Sequence, residues 1–110
     1  MPDQLIAVTI TGPSDDQLTE LCRVLVTERL AACANIVSGI RSLYWRDEDV
    51  QDARESLAVL HTLKENFANL GRRGAELHPY KVPQIVAAPL MATPAYGDWI
   101  INNTQQTTAP

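Results

Sequence analysis

Four strand-forming runs, interrupted by only two stretches of clear helical spacing, set the tightest limit on what this chain can fold into. Residues 5–11 are a short β-branched run closed by Gly12 and Pro13, which predicts a strand. Ser14-Asp15-Asp16-Gln17 has the form of a capping box: the Ser14 hydroxyl accepts from the Gln17 amide, and the Gln17 side chain reaches back. Leu18, Leu21, Cys22, Leu25 and Val26 follow at helical spacing, so a helix is expected from about Asp15 to Arg29. Residues 31–37 open a second extended segment that bends at Gly39 and continues through Ile40, Leu43, Tyr44 and Trp45. A polar connection over 46–52 leads to a third strand over 55–62. There Leu57, Val59 and His61 share one face, and Ala58 and Leu60 point the other way. Together these segments predict a long antiparallel hairpin with an acidic tip.

A weaker helix is expected over 64–77, with Phe67, Leu70, Ala75 and Leu77 facing inward. Gly71 and Gly74 each cost it about 1 kcal/mol relative to Ala. Pro79 and Pro83 forbid its continuation, and residues 82–90 supply a fourth strand. Pro94 suits the first turn of a closing helix that carries Tyr96, Trp99 and Ile100. From Asn102 onward a frayed polar tail is expected. The order β-α-β-β-α-β predicts one domain over 1–110, of the α+β class. It is a ferredoxin-like sandwich, with a four-stranded antiparallel sheet, helices on one face and an extra C-terminal helix. Two helices cannot hide Ile6, Val8, Ile10, Val37, Ile40, Leu43, Trp45, Leu57 and Val59 together. Apolar sheet of that extent is uncommon on a monomer, so a subunit partner is the expected cover.

Charge narrows the chemistry. Thirteen acidic against nine basic residues give −4, which disfavours nucleic acid as a ligand, because that affinity comes largely from Lys and Arg contacts to phosphate. Gly71-Arg-Arg-Gly74 has a G-x-x-G form, but the element order is wrong for a KH domain, and six aromatic residues are too few for a base-stacking platform. No Walker-type loop or G-x-G-x-x-G is present. A calcium loop counted from Asp47 fails, with Asp52 where glycine is needed and Ala58 where a bidentate Glu is needed. The opening Met1-Pro2-Asp3-Gln4 lacks the features of a signal peptide, and no apolar run approaches the ~20 residues of a membrane span. A cytoplasmic chain with free thiols and no membrane partner is expected.

Candidate ligands are few. No C-x-x-C or H-x-x-x-H pair places two ligands on one element, so a closed structural zinc site is not expected. Cys22 lies on the apolar helical face, and Cys33 sits among Ala31, Ala32 and Ala34, where close packing is expected. His61 shares its strand face with Leu57 and Val59. His78 differs, because Pro79 restricts its backbone to extended conformations and aims the ring outward. No local Ser or Cys has a base and an orienting group beside it, so no enzyme class is indicated and no catalytic residue is assigned.

Three segments, "ERLAACANIVSG" (28–39), "SLYW" (42–45) and "ELHPYKVPQI" (76–85), together resemble the CutA family of divalent-cation-tolerance proteins. The resemblance covers about residues 5–101 and includes Pro94, Tyr96 and Trp99 of the closing segment. It implies a ferredoxin-like subunit in a tight homotrimer, with clefts between subunits lined by His78 and Tyr80. The family is linked to tolerance of copper and other divalent ions, and its assembly is similar to that of the P-II regulatory proteins. The chain departs from the family at Lys81 and Gln84, where acids are usual, at His61, where lysine is usual, and at Arg46 and Ile10.

The resemblance therefore implies a non-enzymatic trimer with a divalent metal, copper or zinc, as candidate cofactor. His78 is its candidate ligand, to which the chain's own His61 adds a second imidazole across the interface, and Tyr80, with Lys81, Trp45 and Arg46 of this chain, is the candidate lining of the ligand cleft. Two alternatives use the same cleft. One is a P-II-like sensor taking a small anionic effector against Lys81 and Arg46; the other is a small enzyme.

Overall fold

The computed structural model describes residues 4–105. Strand β1 (Leu5–Gly12) alternates as its sequence requires, with Ile6, Val8 and Ile10 buried. Helix α1 (Asp15–Thr27) starts from Ser14, whose hydroxyl accepts from the Gln17 N–H at 3.3 Å. Asp15 and Asp16 place acid at the positive end of the helix dipole. Leu18, Leu21, Cys22 and Leu25 form its buried face. The helix ends at Thr27 rather than Arg29. The Leu30 N–H reaches back to the Leu25 carbonyl (2.9 Å) and the Arg29 N–H to that of Val26 (3.0 Å), while Arg29 turns to φ 61°.

Strands β2 (Cys33–Arg46) and β3 (Asp49–Leu63) form the long hairpin. Its tip is only two residues, Asp47 and Glu48, both at positive φ; the polar stretch expected as a connection belongs mostly to the strands, with Arg46 opposite Asp49. The hairpin bends where the register slips between Val37 and Ile40, and Gly39 takes φ +69° there. The Ser38 and Ser56 hydroxyls at this bulge donate to the two carboxylate oxygens of Asp15, which ties the bend to the start of α1.

A short 3₁₀ turn (Lys64–Asn66) leads into α2 (Phe67–Leu77). Its buried residues are Leu70 and Gly74, whereas Ala75, expected inside, is exposed. Glycine is needed at 74 for a close approach, since a Cβ there would lie 3.2 Å from Ile85 Cδ1. Strand β4 (Ile85–Pro89) is shorter than expected, and α3 (Pro94–Asn102) starts at Pro94, capped by the Thr93 hydroxyl.

The sheet is antiparallel throughout in the order β2-β3-β1-β4, the ferredoxin-like order. Helices α1 and α2 cover one face, where Val8, Ile10, Leu18, Leu25, Leu60 and Leu70 form the core; each such side chain contributes about 1.5–3 kcal/mol by leaving water. Helix α3, the extra C-terminal helix, packs elsewhere. It lies against β3 and Leu5 on the opposite face, with Gly97 close over Leu5.

The tail expected to fray from Asn102 is held as far as residue 105. The Gln105 N–H donates to the Arg29 carbonyl (2.7 Å), its Nε2 donates to the Glu28 carbonyl (2.8 Å), and Thr104 is buried. Residues 106–110 lie outside those described. The hairpin gives the molecule its 46 Å long axis and leaves Leu43 67%, Trp45 74% and Val50 58% exposed. Among the described residues, no helix is long and apolar enough to cross a membrane.

Candidate functional site

The rigid joint after α2 begins at His78. Extended backbone (φ −81°, ψ 140°) before Pro79 places its ring inside the protein, not outward. The ring Nε2 lies 2.7 Å from the Thr11 carbonyl, and the Tyr80 N–H donates to Nδ1 at 3.1 Å. A carbonyl opposite one nitrogen and an N–H opposite the other fix the neutral Nε2–H tautomer. His78 thus pins the α2–β4 joint to the end of β1, with neither nitrogen left over for a metal. The expectation of an outward-facing ligand is corrected on that ground.

His78 positions Tyr80, whose ring sits 4.8 Å away, centroid to centroid. The Tyr80 hydroxyl donates to Glu55 Oε2 at 2.7 Å. Glu55 is only 6% exposed, although it lies beside the bend of the hairpin. Burial, and then the Glu55 carboxylate, push the Tyr80 phenol up to about 12, so it remains a proton donor at neutral pH. The pair sits in a hollow of about 380 Å³ whose wall includes Thr11, Ser42, Tyr44 and Trp45. Arg46 borders the hollow indirectly: its Nη2 donates to the Tyr44 hydroxyl (2.8 Å), and its guanidinium lies 5.5 Å over the Tyr44 ring. Lys81 is exposed on the joint and does not line the hollow.

His61 belongs elsewhere. It is six residues along β3 from Glu55, about 20 Å at the rise of an extended strand, so one protomer does not bring it to the hollow. It pairs across the hairpin with Cys33, and its Nδ1 lies 2.8 Å from the Tyr96 hydroxyl of α3. Tyr96 meets the His61 ring edge-on and stacks on Trp99. Partial burial lowers the His61 pKa from its ordinary value. The Cys33 hydrogen bond, and then burial, push the Tyr96 phenol up to about 12. Sequence reasoning did not assign Glu55, Tyr44, Cys33 and Tyr96 to a site; Cys33, Tyr44 and Tyr96 were singled out as a packed thiol or as parts of family-like segments, and Glu55 carried no local signal. Among the described residues, no group of three or more His, Cys, Asp or Glu side chains converges as a metal site.

Fold and hollow define a class: a small ferredoxin-like α+β protein with an extended hairpin and a carboxylate-bearing hollow at its bend. Residues 6–103 match the family described as CutA1 divalent ion tolerance protein. The chain belongs to this family. It is 44% identical over 99 residues to the divalent-cation tolerance protein CutA of Thermus thermophilus, an alignment that spans 88% of this chain and 95% of that one. A solved structure of the Thermus thermophilus protein superposes with a TM-score of 0.88 at 40% identity, covering 92% of this chain and 99% of that one. The solved CutA1 of Oryza sativa superposes with a TM-score of 0.91 at 32% identity, covering 96% and 98%.

Proposed function

We propose that the chain serves tolerance of divalent cations as a cytoplasmic, non-enzymatic homotrimer. The hollow at Glu55 and Tyr80 becomes a cleft between subunits that holds a divalent ion or a small ligand. The relatives' names support the cation. The assembly is supported by the exposed Leu43, Trp45 and Val50 on a hairpin that projects from the body. One observation carries the reading: the buried Glu55 carboxylate, held by a protonated Tyr80, faces an open hollow. A carboxylate there attracts a cation and repels the anionic effector of the P-II-like alternative. Its donors are oxygens, which suit an ion held through carboxylate, hydroxyl and water better than copper held through nitrogen or sulfur.

Calorimetric titration of Mn²⁺ into the full chain and into Glu55→Gln tests this. Binding that weakens about tenfold or more in the variant is expected. Equal affinity in both proteins, or no binding by the wild type, overturns the reading.

A further inference from the structure

The Cys33–His61–Tyr96 cluster is remote from the hollow and has a geometry of its own. The β2–β3 register sets Cys33 directly opposite His61, on the sheet face turned away from α1 and α2. The closing helix then lays Tyr96 over the pair, backed by Trp99. Cys33 Sγ lies 3.6 Å from His61 Nδ1 and 3.2 Å from the Tyr96 oxygen, and that oxygen lies 2.8 Å from the same nitrogen. A thiol sulfur, an imidazole nitrogen and a phenol oxygen thus converge on one point of a partly exposed surface.

The sulfur–nitrogen distance decides what the point suits. A tetrahedral zinc ion takes sulfur at about 2.3 Å and nitrogen at about 2.0–2.1 Å, which places the two ligand atoms about 3.6 Å apart. Cys33 and His61 already hold that separation. The phenol oxygen is closer to both atoms than a tetrahedral edge of about 3.3–3.5 Å. It needs an outward shift of a few tenths of an ångström, which a residue in the first turn of α3 and 37% exposed can make.

We propose that Cys33 and His61, with the Tyr96 oxygen as third donor, form a site for one thiophilic divalent ion of the zinc type, with water in the fourth position. Thiolate and imidazole favour such an ion over magnesium or calcium. On binding, the Cys33 S–H bond is exchanged for S–metal, one proton leaves to solvent, and no electron is transferred. Cys22 is no competitor, since burial pushes its thiol up to about 11 and its side chain lies inside the core. This site does not depend on the Glu55 hollow.

The test uses the reduced, metal-stripped full chain titrated with Co²⁺, read by thiolate-to-cobalt charge-transfer absorption and followed by displacement with Zn²⁺. The band is expected in wild type, Cys22→Ser and Glu55→Gln, absent in Cys33→Ser, and shifted to at least tenfold weaker binding in His61→Gln. Zn²⁺ is also expected to protect Cys33 of the wild type from alkylation, a readout that needs no variant to fold. No charge-transfer band and no protection in the wild type would overturn the proposal, as would a band that survives Cys33→Ser. Loss of calorimetric Mn²⁺ binding in Glu55→Gln with the cobalt band intact would leave both sites standing. Loss of the band alone would remove only this one.

Discussion

At the scale of single residues, the two histidines, both candidate ligands by sequence, play different parts. His78, fixed by Pro79, spends both ring nitrogens on Thr11 and Tyr80, whereas His61 meets Cys33 and Tyr96. His61 also carries a pH dependence. Burial lowers its pKa below the ordinary 6.5, so the unfolded chain binds the proton more tightly than the folded one. This contribution to stability is complete above about pH 6.5 and is lost as pH falls through the window beneath it. Melting curves of metal-free protein between about pH 7.5 and 5 should show falling Tm, and His61→Gln should flatten that slope. An unchanged slope would contradict the assignment. Asp15 acts in a separate, lower window, because the Ser38 and Ser56 hydroxyls hold its carboxyl below the ordinary 3.8. The Ser14 cap was legible because donor and acceptor are three residues apart. The inward turn of His78 was not, because its partner carbonyl is 67 residues away.

At the scale of elements, α2 shows how propensity and packing separate. Gly71 and Gly74 look alike in sequence, yet a Cβ at 71 would meet nothing within 4 Å, whereas at 74 it would press on Ile85. Gly71→Ala should therefore stabilise the protein by about 0.5–1 kcal/mol in urea unfolding. Gly74→Ala should fall at least about 1 kcal/mol short of that gain, because α2 must move off β4. Equal gains at both positions would refute the close approach. The strands and helices were legible as periodicities, and so was the face carrying Leu57, Val59 and His61. The two-residue tip was not, since Asp47 and Glu48 both take a positive φ that their chemistry does not advertise. Nor was the Cys33–His61 pairing, which depends on a register set by the whole hairpin and by the slip at Gly39.

At the scale of the whole molecule, the fold was readable from the order of its elements, and the surplus of apolar strand surface was readable from its composition. Helix α3 shelters part of the second sheet face, yet Trp45, Leu43 and Val50 still project along the hairpin. A monomer gains nothing from exposing them, whereas the proposed ring of subunits would bury them and complete the hollow that Glu55 and Tyr80 begin. The most direct test is the mass of the full chain in dilute solution, by size-exclusion chromatography with light scattering. A single species at three times the chain mass of 12.1 kDa is expected, and a single species at 12.1 kDa would contradict the account.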